Sequence, residues 1–187
     1  MATQGLPRQP LTPTTICMRQ TTTAIILLLT SVGAQAQWQI VSNSTPPPAR
    51  VAQAVSGDGA RLQVFRDTTD EVRLRFLLRP GFDQLTGCPT FQVSGKPPVH
   101  QSSDGSPCAN GGTWADFSLG HIRNGQLNSL TLHRIMNGEE ITFRYTLKDH
   151  RYGEARFSLT GSKQAVLDVI GQRVGITAEK TPPGGGR

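Results

Sequence analysis

The sequence predicts a mainly β fold of the α+β class, an antiparallel, β-sandwich-like domain with one or two helices and one disulfide. Three observations lead to this prediction. At least five segments alternate apolar and polar residues with a period of two, which is typical of strands with one buried face. Two further segments have apolar residues at helical spacing. Two cysteines, Cys88 and Cys108, follow an export signal.

Residues 1–36 are predicted to be a leader. The stretch MRQTTTAIILLLTSVGAQAQWQ contains a positive charge at Arg19, an apolar run over residues 24–33 and small residues at Ala34 and Ala36. This order is typical of a secretory signal peptide, and we expect cleavage after Ala36. The run has about ten residues, whereas a helix that crosses a bilayer needs roughly 20, so a membrane-spanning anchor is not expected. Met18 is the expected start of translation, although a start at Met1 gives the same mature chain.

The expected location of the protein decides whether Cys88 and Cys108 form a disulfide. Export places the chain in the periplasm or outside the cell, and Cys17 is removed with the leader, which leaves the even pair Cys88 and Cys108. An even pair in an oxidising compartment predicts a disulfide. Closing a loop of this size stabilises a fold by about 3 kcal/mol. A zinc site would need closely spaced cysteine pairs, and neither His100 nor His121 supplies that spacing.

The mature chain is long enough for one domain with a hydrophobic core. Residues 37–50 are predicted to be a proline-rich N-terminal segment, because three consecutive prolines favour an extended connector. A single β-rich domain is expected over residues 51–178, starting near Val51. The C-terminal TPPGGGR cannot bury enough surface to order itself, so residues 179–187 are predicted to be a disordered tail.

Five segments are predicted to be strands because apolar residues recur at every second position. In chain order they are RLQVF, EVRLRFLLR, TFQVSG, EITFRYTLK and EARFSL. The predicted core face carries Leu62, Val64, Val72, Leu74, Phe76, Leu78, Phe91, Val93, Ile141, Phe143, Tyr145, Leu147, Ala155, Phe157 and Leu159.

Two segments are predicted to be helices. SKQAVLDVIG has apolar residues three and four positions apart, with Ser162 as the expected N-cap and Gly171 beyond the end. The segment 127–136 is ambiguous. Its apolar spacing suits a helix that ends at Asn137-Gly138, but the same Asn-Gly pair also suits a hairpin. We predict the helix.

Four segments follow one another between residues 74 and 170: LRFLLRPGFDQLTGCPTFQVSG, SPCANGG, LNSLTLHRIMNGEEITFRYTL and ARFSLTGSKQAVLDVIG. Their order resembles the invasion-associated locus B family of exported bacterial envelope proteins. The resemblance implies a small β-rich envelope protein linked with host-associated or stress-related phenotypes. It implies no catalytic residues.

The charge pattern predicts a candidate anionic-ligand patch. The formal net charge is +6, and the leader removes two of the 19 basic residues and none of the 13 acidic ones. If the charged strands share one sheet, their outward faces could bind a phosphate-bearing lipid or an acidic polysaccharide. Glu71, Glu140 and Glu154 have the same outward parity, so the alternative, which we favour, is a solvated mixed-charge face. The patch consists of Arg73, Arg75, Arg79, Arg144, Lys148 and Arg156.

The sequence contains no recognisable catalytic motif. The histidines His100, His121, His133 and His150 are scattered, and no G-x-S-x-G elbow or glycine-rich phosphate loop is found. We therefore expect a non-catalytic accessory protein without a metal or cofactor. We expect it to be periplasmic or secreted. Its expected partner is an envelope protein or an anionic glycolipid or polysaccharide, and not nucleic acid. The alternatives are a hydrolase whose Ser-His-Asp triad assembles only in three dimensions and a periplasmic enzyme inhibitor.

Overall fold

The computed structural model describes residues 38–42, 50–81 and 84–178, all within one compact unit that spans Ala34–Arg187. The predicted leader (residues 1–36), the three consecutive prolines (residues 46–48) and the predicted tail (residues 179–187) lie outside the described residues. Within the described residues, no helix is both long and apolar enough to cross a membrane. The described strands are β1 Gln39–Ser42, β2 Arg50–Val55, β3 Arg61–Arg66, β4 Glu71–Leu77, β5 Thr90–Val93, β6 Ala109–Asn110, β7 Trp114–His121, β8 Gln126–Asn128, β9 Glu140–Thr146, β10 Tyr152–Ser158 and β11 Gly175–Thr177, and the helices are α1 Leu130–Asn137 and α2 Ser162–Ile170.

The strands form two antiparallel sheets and a short parallel pair. The large sheet has the order β1-β2-β3-β4-β7-β6, and the small sheet has the order β10-β9-β5. The parallel pair joins β8 to β11. This arrangement confirms the predicted mainly antiparallel β fold with one or two helices.

Aromatic side chains join the two sheets into a sandwich-like core. Phe76 of β4 stacks on Phe143 of β9 with ring centroids 4.8 Å apart. Phe117 of β7 meets Phe91 of β5 edge to face at 5.0 Å. Every residue that the alternation assigned to the core face is buried. The period-two pattern therefore identified the inner faces of both sheets correctly.

The disulfide between Cys88 and Cys108 is formed, as predicted, with the two Cα atoms 5.8 Å apart. Cys88 lies just before β5 of the small sheet, and Cys108 immediately precedes β6 of the large sheet. The bond therefore links the two sheets covalently at one edge of the sandwich.

The N-terminal boundary needs a correction, because the folded domain begins before Val51. Strand β1 pairs with β2 from Gln39 opposite Gln53 to Ser42 opposite Arg50. Trp38 is 8% exposed, and its indole Nε1 donates a hydrogen bond to the carbonyl oxygen of Ser158 at 2.9 Å. The short apolar stretch around Trp38 is thus an edge strand, since burial of this tryptophan holds it against the core.

Both predicted helices exist, but each begins differently from the prediction. Leu127 belongs to β8, and α1 starts only after Ser129, whose side chain accepts a hydrogen bond from the backbone N–H of Leu132. Helix α2 has Gly161 as its N-cap. The hydroxyl of Ser162 instead donates to the carbonyl oxygen of Ile135 at 2.9 Å and connects the two helices. Gly171 caps the C-terminus as predicted, with its N–H bonded to the Leu167 carbonyl.

Candidate functional site

The six cationic residues of the predicted patch do not lie on one face. Arg73 and Arg75 belong to β4 of the large sheet, whereas Arg144 and Arg156 belong to the small sheet. The other two follow the ends of β4 and β9. The condition for the patch, that the charged strands share one sheet, is therefore not met. Alternation in a sequence shows which side chains share a face of one strand, but it does not show which strands become neighbours.

The arginines of β4 are paired with carboxylates inside the domain. Strand β7 places Asp116 opposite Arg75, and the guanidinium donates to both carboxylate oxygens at 2.6 and 2.7 Å. The same guanidinium lies over the rings of Phe65 and Trp114, at 4.9 and 5.2 Å from their centroids. Such bidentate pairs are strong and geometrically specific. The chemistry of Arg75 is thus used within the fold.

The arginines of the small sheet are also paired. Arg144 donates to Glu154 at 3.0 Å and to the amide oxygen of Gln92 at 3.1 Å. Arg156 donates to the second oxygen of Glu154 at 2.8 Å. These hydrogen bonds, first from Arg156 and then from Arg144, hold the pKa of Glu154 below its usual value. The small sheet therefore carries the mixed-charge face that we favoured.

The β3–β4 turn is organised by Asp67. Its carboxylate accepts hydrogen bonds from the backbone N–H groups of Thr69 and Glu71, at 2.8 and 3.0 Å, and from Nε of Arg73 at 3.0 Å. Burial raises the pKa of Asp67, but these hydrogen bonds and that of the Thr69 hydroxyl outweigh burial and lower the pKa from 3.8 to about 2. The turn is consequently stabilised only while this carboxylate is ionised.

This pKa shift predicts a pH-dependent effect of the substitution Asp67→Asn. Because the folded-state pKa is depressed, the stabilisation is present above pH 3.8 and is lost as the pH falls towards 2. We expect the variant to be less stable than the wild type by about 1 kcal/mol at pH 7, a value reduced for the partial solvent exposure of the pair. The difference should shrink below about pH 3. Urea unfolding at both pH values measures it, and a difference independent of pH contradicts the assignment.

A groove lies between α1 and the turn that follows β5, with a volume of about 690 Å³. One wall is a single face of α1, formed by residues at i, i+3, i+4 and i+7. The other wall is the turn over residues 94–96. At the end of the helix, Gly138 is required, because a Cβ there would lie 2.6 Å from a methyl group of Val93. We call this feature the α1 groove, and its lining includes Leu130, His133, Arg134, Asn137, Ser94, Lys96, Glu139 and Ala178.

The cations of the α1 groove differ from those of the predicted patch. Within residues 38–42, 50–81 and 84–178, no carboxylate forms an ion pair with Lys96 or Arg134. His133 is exposed on the same helix face. The groove lining also contains one acidic residue, Glu139. The groove therefore offers cationic donors that the described fold does not use. An anionic group is the chemistry that complements them.

Asp104, Ser106 and His121 are residues of the types that the alternative hydrolase triad would need, and the structure places Asp104 and Ser106 in one turn. Hydrogen bonds from Ser106 lower the pKa of Asp104, and the charge of His121 adds to this effect. The Ser106 hydroxyl donates directly to Asp104 at 2.7 Å, as does its backbone N–H at 3.0 Å. This is the geometry of a turn, because the serine proton is held by the carboxylate and not by a histidine.

The described residues also provide no candidate metal site. In the part of the chain that the structure describes, His, Cys, Asp and Glu side chains form no group of three that could hold a metal ion.

No family model, no curated protein and no solved structure matches this chain. The geometry of the α1 groove is therefore the main basis for a functional assignment.

Proposed function

We propose that this chain is a non-catalytic, exported accessory protein of the bacterial envelope that binds an acidic polysaccharide or glycolipid in the α1 groove. The observation that carries the proposal is that Lys96, from the turn after β5, and Arg134, from α1, both line one groove without carboxylate partners among the described residues. The resemblance to invasion-associated locus B proteins supports the envelope setting.

The disulfide supports the exported location. Disulfides persist in oxidising compartments such as the periplasm and are rare in the cytosol. Cys88 and Cys108 are joined across the two sheets, and the sequence before Gln37 has the charged, apolar and small-residue regions of a signal peptide. These two independent features point to the same compartment.

The chemistry of the groove fits a carboxylate or phosphate group of a glycan. Its volume of about 690 Å³ lies within the roughly 300–1,000 Å³ of typical small-ligand sites. Arg134 is only partly exposed, and a guanidinium can hold a planar or tetrahedral anion with two hydrogen bonds. Lys96 adds a mobile point charge from the opposite wall. A short acidic segment of a polysaccharide would thus be held from two sides.

Salt dependence tests this function. We expect the protein to bind an oligogalacturonate, used as the carboxylated probe, with an affinity that falls at least about tenfold when sodium chloride is raised from about 20 mM to about 300 mM, because salt screens exposed charges. A neutral oligosaccharide of equal length should not occupy the groove.

Two outcomes contradict the proposal: an affinity that does not change with salt, and a neutral control that binds in the groove as tightly as the acidic probe. A further arm separates the sources of the anion. If the natural ligand is the lipid, the protein should bind vesicles that carry an acidic glycolipid more tightly than it binds the free oligosaccharide. Equal or weaker binding to the vesicles identifies the polysaccharide.

A further inference from the structure

A second, smaller hollow lies on the outer face of the small sheet, next to the disulfide. Its volume is about 280 Å³, and its walls come from the residues around Cys88 and from β9 and β10. This volume is slightly below the roughly 300–1,000 Å³ of sites for drug-sized ligands. The hollow is therefore suited to one ring of a ligand. We call it the Tyr152 hollow, and its lining includes Thr86, Cys88, Thr90, Arg144, Thr146 and Tyr152.

The Tyr152 hollow has hydrogen-bonding groups but little unbalanced charge. Arg144, the cation in its lining, is fixed by Glu154 and Gln92, and Arg156 shares the same carboxylate. In contrast, the hydroxyls of Thr90 and Thr146 have no hydrogen-bond partner within the described part of the chain. Recognition here would therefore depend on hydroxyl groups and not on net charge. This distinguishes the hollow from the α1 groove.

Tyr152 supplies an aromatic ring at the rim of the hollow. It is 65% exposed, whereas the other tyrosine, Tyr145, is 5% exposed in the core. The neighbouring Gly153 leaves room for the Tyr145 ring, because a Cβ at that position would lie 2.3 Å from it. The backbone of β10 is thus held against the core at this point. The exposed ring is carried on a firmly packed strand.

We propose that the Tyr152 hollow binds a neutral pyranose ring of a saccharide. The ring of Tyr152 would contact the apolar face of the sugar, since aromatic side chains combine apolar contact area with a polar end. The hydroxyls of Thr90 and Thr146 and the remaining guanidinium N–H groups of Arg144 would bond the hydroxyls of the sugar. This site is separate from the α1 groove, and it does not depend on the function proposed for that groove.

An NMR titration of the intact mature protein tests the inference. The probes are the methyl glycosides of glucose, galactose, mannose and N-acetylglucosamine at millimolar concentration. We expect at least one glycoside to shift the amide signals of Thr90, Thr146 and Tyr152, and to leave those of Lys96 and Arg134 unchanged. Tyr152→Ala should weaken this binding about tenfold, whereas Tyr152→Phe, which keeps the ring, should weaken it no more than about threefold.

The contradicting results are equally specific. If none of the four glycosides shifts the amides around the hollow, or if Tyr152→Ala binds as tightly as the wild type, the inference is wrong. The variant is expected to fold normally, because the Tyr152 side chain is mostly exposed. Its unfolding midpoint in urea, together with that of the variant Val55→Ala at another exposed hydrophobic residue, shows whether any loss of binding reflects loss of structure.

Discussion

Replacement of Phe143 by alanine is expected to lower the free energy of unfolding by about 3–5 kcal/mol, the usual cost of removing a buried phenylalanine. The ring is fully buried. It contacts Phe76, Phe91, Phe117 and Phe157 with ring centroids 4.8 to 6.4 Å away. Its loss therefore leaves a cavity between the two sheets and removes four aromatic contacts at once. Urea unfolding followed by tryptophan fluorescence measures the effect.

A conservative change at the same position provides the control. Phe143→Leu keeps most of the apolar volume and should cost less than Phe143→Ala, although it also loses the ring contacts. If the alanine variant were destabilised by less than about 1 kcal/mol, comparable to an average surface substitution, the proposed packing of the small sheet on the large one would be wrong.

Removal of the disulfide is expected to have the next largest effect. The double variant Cys88→Ser and Cys108→Ser should lose about 3 kcal/mol, the value expected for a bond that closes a loop of about 20 residues. The bond also joins the segment before β5 to β6, so its loss frees one edge of the sandwich. Denaturant unfolding of the oxidised wild type and of the variant measures this difference.

Reduction of the wild type gives an independent comparison. With an excess of dithiothreitol, the wild type should unfold at the same urea concentration as the double serine variant, because both lack the same bond. Equal stability of the oxidised wild type and the variant would show that the bond contributes nothing. It would also weaken the argument for export, since the cysteines would then need another explanation.

Much of the fold follows from the sequence because the strand signal is strong. Residues such as Leu74, Phe76 and Phe143 alternate with charged neighbours, and each is buried as expected. The start of the domain was less predictable. Trp38 and β1 are separated from β2 by prolines, and only the tertiary contact of the indole with Ser158 shows that this segment belongs to the sheet.

Local helix rules were also overridden by tertiary contacts. Ser162 has the residue type and the position of an N-cap, but its hydroxyl bonds to Ile135 of the other helix. Leu127 fits a helical spacing but lies in β8, where the parallel partner β11 is about 50 residues away in sequence. Such long-range partners are not visible in a local pattern.

The candidate site was harder to predict than the fold. The outward parity of Arg75 and Arg144 was visible, but their partners Asp116 and Glu154 depend on strand pairing. For the same reason Lys96 was missed, because it reaches the groove only when the turn after β5 is placed beside α1. The available signal was a pair of adjacent basic residues, His133 and Arg134, on a segment already predicted to be helical.

The most direct test of the central claim is the dissociation constant for an oligogalacturonate in two charge-matched double variants. Lys96→Ala with Arg134→Ala removes the cations of the α1 groove, whereas Arg123→Ala with Lys163→Ala removes two exposed cations outside its lining. We predict that the groove variant binds about tenfold more weakly than the wild type, and that the control variant stays within about twofold. Equal weakening in both variants, or none in the groove variant, would contradict the assignment of the α1 groove as the anion-binding site.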